Sequence, residues 1–180
     1  MVMRKKKSVK IKYTGYVAVS IDGRIAKSGK SGTDWTSKED WNFFQKSLLK
    51  FNAVIVGYNT YKVSEVRLKK RNTIVFTSKV KNLKTVGTVT FFNIKYSNIF
   101  DFLKEMNYKK VAILGGPKIY NFFLQNKMLH ELFITIEPYV FTTGVPMFLG
   151  DKFTKYNFVL KSIKKLNKKG TLLLKYKYAN

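Results

Sequence analysis

Short apolar runs that alternate with helix-like stretches constrain the fold of this chain more than any other feature. Most runs hold four or five residues, largely β-branched or aromatic, between polar neighbours, which predicts short buried strands. The predicted strands are Lys10–Ser20, Ala53–Val56, Thr73–Phe76, Val89–Phe92, Val111–Leu114 and Leu132–Ile136. The predicted helices run from Thr36 or Ser37 to about Phe51, from near Asn59–Thr60, over Ile99–Met106 and over Pro117–Gln125. Such alternation is typical of a mostly parallel sheet covered by helices.

The end of the chain has a different pattern, because two strand-like segments follow each other without a helix between them. Phe158–Leu166 and Thr171–Tyr178 flank the turn Asn167–Gly170, which predicts an antiparallel hairpin. With 180 residues, 3 prolines and 11 glycines, the chain has the size of one domain and no long linker. We therefore expect a single α/β domain over residues 1–180, with a mostly parallel central sheet, antiparallel C-terminal edge strands and flanking helices.

The chain is strongly basic, with 35 Lys and Arg against 10 Asp and Glu and a formal net charge of +25. A field of this sign attracts anionic ligands. Only four of the basic residues are arginines, and the lysines are spread along the chain. Proteins that read nucleic-acid sequence rely instead on arginine forks and clustered basic stripes. We therefore interpret the charge as a solvated lysine-rich surface and expect no nucleic-acid partner, while the charge itself does not identify a ligand.

Composition also bears on metals and membranes. The absence of cysteine excludes disulfides and thiolate metal sites, and the single histidine, His130, excludes a histidine cluster. No apolar run of signal-peptide or membrane-spanning length follows the basic N-terminus. We expect a cytoplasmic protein with no bound metal and no membrane partner.

The segment Ile113-Leu114-Gly115-Gly116-Pro117 joins a predicted strand to a predicted helix. Two glycines let the backbone approach a ligand closely, and the free N–H groups at a helix start favour a phosphate. Pro117 suits the first helical turn. The unit therefore predicts either a phosphate-binding turn or only a tight strand-to-helix connection.

Asp40 lies near the start of the first predicted helix. The run Ser37-Lys38-Glu39-Asp40 fits a capping box, in which an acidic side chain returns to the backbone N–H of the capping residue. The alternative is that the carboxylate serves a binding pocket. Trp41, on the same helix, is expected in the core.

Six segments stand in the order found in dihydrofolate reductase and in the reductase domain of riboflavin biosynthesis. They are Tyr16–Val19, Ser20–Ala26, Asp34–Phe44, Val54–Tyr61, Arg71–Ser78 and Leu114–Tyr120. Over about residues 16–148 the chain thus resembles the dihydrofolate-reductase-like superfamily. The resemblance implies that fold, NADPH as the cofactor, and hydride transfer to a small pterin or pyrimidine substrate by a monomer or homodimer.

The resemblance also implies roles for individual residues. Catalysis would rest on Asp40, Trp35 and Thr135. The substrate would contact Tyr16, Val17, Ala18, Phe44, Leu48, Arg71 and Leu114. NADPH would contact Ala18, Ile25, Gly57, Asn59, Thr60, Thr77, Ser78, Lys79, Leu114, Gly115, Gly116, Pro117, Lys118, Ile119 and Tyr120. Within this set, Thr77, Ser78 and Lys79 would receive its 2′-phosphate.

The sequence is compatible with two substrates. Trp35, Asp40, Phe44 and Arg71 favour reduction of dihydrofolate to tetrahydrofolate in one-carbon metabolism, which is the main expectation. Ser20–Ala26 and Thr142–Phe148 resemble the riboflavin-type reductases instead. They favour reduction of a phosphoribosylamino-pyrimidine to its ribityl form. Against that alternative, Leu48 stands where many riboflavin-pathway enzymes carry an arginine for the ribose phosphate.

Overall fold

A nine-stranded sheet forms the centre of the protein, as described by a computed structural model for residues 10–179. In chain order the strands are β1 (Lys12–Val19), β2 (Arg24–Ala26), β3 (Ala53–Gly57), β4 (Thr73–Phe76), β5 (Leu83–Val86), β6 (Val89–Phe92), β7 (Lys110–Ile113), β8 (Glu131–Ile136), β9 (Val145–Pro146), β10 (Phe158–Lys165) and β11 (Leu172–Tyr178). The helices are α1 (Lys38–Leu48), α2 (Tyr58–Leu68), α3 (Ile99–Glu105) and α4 (Pro117–Gln125).

The strand order of the large sheet is β10-β11-β8-β1-β7-β3-β4-β6-β5. The six strands from β8 to β6 pair in parallel, whereas β11 and β10 at one edge and β5 at the other pair antiparallel. The predicted fold class is thereby confirmed, including the C-terminal hairpin. Strands β2 and β9 form a separate two-stranded sheet.

Two apolar cores lie on opposite faces of the large sheet, because successive side chains of a strand point to opposite sides. On β3, Ile55 joins the core that holds residues of α3 and α4, whereas Val54 and Val56 join the core that holds residues of α1 and α2. All three side chains are at most 2% exposed. Burial on both faces explains why this strand appears in the sequence as a continuous apolar run.

The structure differs from the predicted elements at α1, which ends at Leu48 and not near Phe51, and at four further elements. Strands β2 and β9 are only three and two residues long and have no apolar alternation. All four residues of β5 are exposed, so no burial pattern marks it. The short helix expected near Asn59–Thr60 is the 11-residue α2, with non-helical backbone angles at Ser64.

No helix within residues 10–179 is long and apolar enough to cross a bilayer.

Candidate functional site

A cleft of about 580 Å³ opens at the carboxyl ends of β1, β3, β7 and β8. Ligands of open α/β sheets bind at this end of the strands, and the volume suits a small-molecule site. The predicted site residues that line the cleft are Tyr16, Val17, Ala18, Ile25, Asp40, Phe44, Leu48, Gly57, Asn59, Thr60, Arg71, Leu114, Gly116, Pro117, Lys118, Ile119, Tyr120 and Thr135. One cleft therefore gathers residues of nine elements or loops that are spread from β1 to β8 along the sequence.

Five predicted site residues do not line the cleft: Trp35, Thr77, Ser78, Lys79 and Gly115. The Trp35 ring packs edge-on against Phe141, with ring centroids 4.9 Å apart, so its indole is drawn toward that loop. The Gly115 carbonyl oxygen accepts from the Gly57 N–H at 2.8 Å, which turns this peptide toward β3.

Residues Thr77 to Lys79 form the turn after β4. The Thr77 hydroxyl accepts from the Lys79 N–H at 3.2 Å, while the Ser78 and Lys79 side chains are exposed. The Lys79 ammonium lies 4.0 Å from the ring centroid of Tyr58, and Tyr58 does line the cleft. This turn therefore stands at the margin of the cleft.

Capping of α1 uses the backbone of Asp40 and not its side chain. Ser37 is the N-cap residue, and its hydroxyl accepts from the Asp40 N–H at 3.3 Å. The Ser37 N–H, which a capping box would pair with Asp40, donates instead to Oε1 of Glu137 at 2.7 Å. The Asp40 carboxyl is thus released from capping, and it lines the cleft at 8% exposure.

The surroundings of Asp40 raise the pKa of its carboxyl above the usual range, chiefly through burial. The nearby Glu137 carboxylate acts in the same direction, whereas the hydroxyls of Thr135 and Thr36 act against it. A raised pKa keeps a larger fraction of the acid protonated near neutral pH. Asp40 is therefore suited to donate a proton.

Aromatic rings form a flat wall beside Asp40. The rings of Tyr16 and Phe133 stack, with centroids 4.9 Å apart and planes 4° from parallel. Phe44 lies 6.0 Å from Tyr16, and Phe43 also faces the cleft. Such a wall suits a planar heterocycle. Phe133 was missed in the sequence because its place beside Tyr16 depends on the pairing of β1 with β8.

Two guanidinium groups face the cleft between α1 and the end of α2. Arg67 lies 4.5 Å from the ring centroid of Trp41, and Arg71 donates to Oε1 of Gln45 at 3.4 Å. All four residues line the cleft, so the expectation of Trp41 in the core is wrong. Within residues 10–179, neither arginine forms an ion pair with a carboxylate. Two uncompensated cations predict a site for an anionic group.

Helices α2 and α4 both begin at the cleft without a side-chain cap. Their N-cap residues are Gly57 and Gly116, whereas α1 and α3 are capped by Ser37 and Asn98. A Cβ added at Gly116 would lie 3.7 Å from the Thr60 hydroxyl, so the two helix starts are neighbours. Uncapped N–H groups and the positive ends of two helix dipoles favour a phosphate or pyrophosphate.

The chain is similar in sequence to one family over most of its length. Residues 62–172 match the family described as the RibD C-terminal domain. The uncharacterized protein YwjB of Bacillus subtilis (strain 168) is 30% identical over 141 residues, which cover 74% of this chain and 80% of that protein.

Solved structures that share the fold include riboflavin-type reductases and a dihydrofolate reductase. A pyrimidine reductase-like protein of Corynebacterium diphtheriae has a TM-score of 0.74 at 15% identity, with 94% of this chain and 92% of that chain covered. RibD of Acinetobacter baumannii has a TM-score of 0.77 at 16% identity, with 96% of this chain but only 59% of that chain covered. Dihydrofolate reductase of Enterococcus faecalis, complexed with NADP(H), has a TM-score of 0.65 at 21% identity, with 94% and 97% covered. At these identities the likeness concerns the fold alone.

Proposed function

The chain belongs to the family of RibD C-terminal domains, and we propose that this oxidoreductase uses NADPH to reduce a phosphoribosylamino-pyrimidine to its ribityl form. In this reaction the ribose ring would first open to an imine, because the bond between the sugar carbon and the ring oxygen breaks and the N–H proton passes to that oxygen. A hydride then adds to the sugar carbon of the C=N bond, and a proton adds to the nitrogen attached to the pyrimidine. The wider resemblance to the dihydrofolate-reductase-like superfamily is confirmed by the family and by the fold.

The main expectation, reduction of dihydrofolate to tetrahydrofolate, is wrong. The match over residues 62–172 is to a RibD-type domain, while dihydrofolate reductase is a structural neighbour at 21% identity. Asp40, Phe44 and Arg71 favoured folate because the shared fold brings such residues to the same cleft, whatever heterocycle the cleft binds. Trp35, which also favoured folate, lies outside the cleft lining.

The observation that carries the proposal is one cleft with a buried acid at its aromatic wall and two unpaired arginines. The wall beside Tyr16 suits the pyrimidine ring, and Asp40, which lines the same cleft, would supply the proton to its exocyclic nitrogen. Arg67 and Arg71 would bind the ribose phosphate through forked, charge-assisted hydrogen bonds. Many riboflavin-pathway enzymes carry an arginine for this phosphate at the position of Leu48. Arg67 and Arg71, at and just after the end of α2, would supply that positive charge instead.

The residues around the helix starts fit NADPH, which when bound supplies the hydride. The uncapped starts of α2 and α4 would hold its pyrophosphate, and Gly116 leaves room for close approach of the nicotinamide. Thr77, Ser78 and Lys79 at the cleft margin would receive the 2′-phosphate.

Asp40 would supply the proton that balances the hydride. Its carboxyl is held beside Thr135 and Thr36, and burial keeps it partly protonated at higher pH than an exposed aspartate. After transfer, the carboxylate would regain a proton from solvent through the open side of the cleft. Positioned acid catalysis of this kind typically contributes about 10²–10⁴-fold in rate.

The test is to offer NADPH with the phosphoribosylamino-pyrimidine and with its dephosphorylated form, following the loss of reduced nicotinamide absorbance. We expect turnover of both, with a much lower KM for the phosphorylated substrate. The double variant Arg67→Gln, Arg71→Gln should abolish that preference with a smaller effect on kcat, because the phosphate is remote from the reacting bond.

Lys62→Gln is the matched control, because it removes a cation from an exposed position on the same helix. It should leave the preference unchanged. No turnover of either substrate by a folded protein that binds NADPH would refute the proposed function. Equal KM values for the two substrates would refute the role of the arginines.

A further inference from the structure

Glu137 is a fully buried carboxylate that the sequence did not single out. It follows β8, two residues after Thr135, and is only 1% exposed. Oε1 accepts from the Ser37 N–H at 2.7 Å, and Oε2 accepts from the Thr171 hydroxyl at 2.6 Å. Two short hydrogen bonds therefore fix this carboxylate at the start of α1.

The two donors around Glu137 are directed at the two oxygens of its carboxyl group. The Ser37 backbone N–H can only donate. The Thr171 hydroxyl oxygen accepts from Nδ2 of Asn167 at 2.9 Å, which leaves its own hydrogen for Glu137. Both oxygens of Glu137 thus act as hydrogen-bond acceptors in a buried site.

No cation neutralises this charge within residues 10–179, since no Lys, Arg or His lies within ion-pair distance of Glu137. A buried carboxylate without a cation disfavours a second negative charge nearby. The second carboxyl group in its neighbourhood is Asp40, three residues after Ser37 in the first turn of α1.

The same hydrogen bonds join three distant parts of the chain. The turn of the C-terminal hairpin is closed by Asn167, whose Oδ1 accepts from the Thr171 N–H at 3.2 Å. Nδ2 of Asn167 also donates to Glu39 at 3.3 Å. The hairpin turn, the end of β8 and the first turn of α1 therefore form one hydrogen-bonded unit around Glu137.

We propose that Glu137 is a positioning residue that holds the Asp40 carboxyl toward the cleft and favours its protonated, proton-donating form through repulsion between the two buried carboxyl groups. This inference rests on the proposed reductase function, in which Asp40 supplies the proton. Glu137 itself lies outside the cleft lining and acts only through Asp40.

Burial is the largest cause of the raised Asp40 pKa, and Glu137 is the neighbouring group that adds to it. The hydroxyls of Thr135 and Thr36 stabilise the ionised form and so oppose Glu137. Lys38 on α1 and Lys169 on the hairpin turn act on the exposed Glu39. Glu137 is the charged group that acts on Asp40 within the described residues, and burial acts in the same direction.

The direct test is a ¹³C NMR titration of the Asp40 carboxyl in the full-length protein without substrate, with Asp40→Asn used to assign the signal. In Glu137→Gln, which keeps the shape but removes the charge, we expect the pKa of Asp40 to fall toward the usual aspartate range. Glu39→Gln is the matched control: the same substitution beside Asp40, at an exposed position, should leave the Asp40 pKa unchanged. An unchanged Asp40 pKa in folded Glu137→Gln would overturn the proposal.

Glu137→Asp keeps the charge but withdraws it from α1 by one methylene, so it should lower the Asp40 pKa by a smaller amount. If Glu137→Gln does not fold, the Asp40 pKa of Glu137→Asp is compared with that of wild type, and an unchanged pKa would overturn the proposal.

In the pH–rate profile, Glu137→Gln should move the alkaline loss of kcat to lower pH without changing the KM for NADPH, and Glu137→Asp should restore part of the activity. Absence of turnover in wild type would refute the reductase function and leave the titration result intact, so the two failures are distinguishable.

Discussion

The backbone N–H of Asp40 donates to the Ser37 hydroxyl while its carboxyl lies in the cleft, so helix capping and site chemistry concern different atoms of one residue. The sequence motif Ser-x-x-Asp is compatible with either role because it does not specify where the side chain points. In the structure, Glu137 accepts the hydrogen bond from the Ser37 N–H that a capping aspartate would otherwise accept, so the Asp40 side chain does not cap the helix.

Replacing Asp40 by Asn should therefore separate catalysis from stability. The Ser37 hydroxyl can still accept from the N–H of residue 40, so the helix cap persists. We expect kcat to fall by at least roughly a hundredfold near neutral pH, with partial recovery at lower pH where solvent can protonate the substrate. A pH–rate profile measures this, and normal turnover would exclude Asp40 as the proton source.

The same variant has a defined signature in the free energy of unfolding. The folded-state pKa of Asp40 is raised, so folded Asp40 holds its proton more tightly than unfolded Asp40 does. Its contribution to stability is present below the ordinary pKa of aspartate and is lost as pH rises toward the folded-state pKa. Urea unfolding across this interval should show Asp40→Asn gaining stability relative to wild type as pH increases. A constant difference between the two proteins would mean that the pKa is not raised.

A substitution at Gly116 tests the proposed cofactor site. Its backbone φ is not in the left-handed region, and an added Cβ would lie 3.7 Å from the Thr60 hydroxyl, so a Cβ atom is compatible with the fold. Gly116→Val should then keep the melting temperature but greatly weaken NADPH binding, measured by titration calorimetry. Gly150→Val is the control, because its Cβ has similar space, 3.6 Å to the nearest atom, outside the cleft. Equal NADPH affinity in both variants would contradict the placement.

Among the elements, those that sequence patterns predict well are the ones buried in the large sheet. β3, β4 and β6 match the predicted runs to within one residue, because burial on one or both faces selects apolar side chains. Strand β5 and the β2–β9 pair are not buried in the large sheet in this way, so no run of apolar side chains marks them in the sequence. The end of α2 was also missed, since Arg67 on that turn faces the cleft and weakens the apolar periodicity.

Only those residues of the candidate site that belong to a sequence motif could be predicted. The Gly-Gly segment and Asp40 could be recognised, whereas Glu137 and Phe133 gain their partners through the placement of β8 beside β1 and α1. Strand pairing between residues more than 100 positions apart leaves no local pattern in a single sequence.

The turn after β4 gives a test of cofactor choice. If Lys79 receives the 2′-phosphate, Lys79→Glu should lower kcat/KM for NADPH far more than for NADH. Lys81→Glu is the matched control, because it makes the same change of charge at an exposed position two residues further along. Equal losses with the two cofactors in Lys79→Glu would remove this turn from the cofactor site.

The net charge of +25 belongs to the whole molecule, and its field acts at longer range than a direct contact does. Raising the salt concentration weakens the long-range effect much more than the direct contact, so salt distinguishes the two. The Debye length is about 30 Å at ~0.01 M ionic strength but about 8 Å at ~0.15 M, so exposed lysines far from the cleft act only in dilute buffer. We expect kcat/KM for NADPH to fall as salt rises while kcat at saturating NADPH stays constant, because the field changes the rate of encounter and not the chemical step.

Replacing Lys161, Lys164 and Lys165 on the exposed strand β10 by Gln should lower kcat/KM at low salt and have no effect at ~0.15 M. The effect of Lys79→Glu should persist at the higher salt, since a direct contact with the 2′-phosphate is screened much less. A β10 variant that stays impaired at ~0.15 M would mean that those lysines contact the ligand or support the fold, and would refute attraction by the overall field.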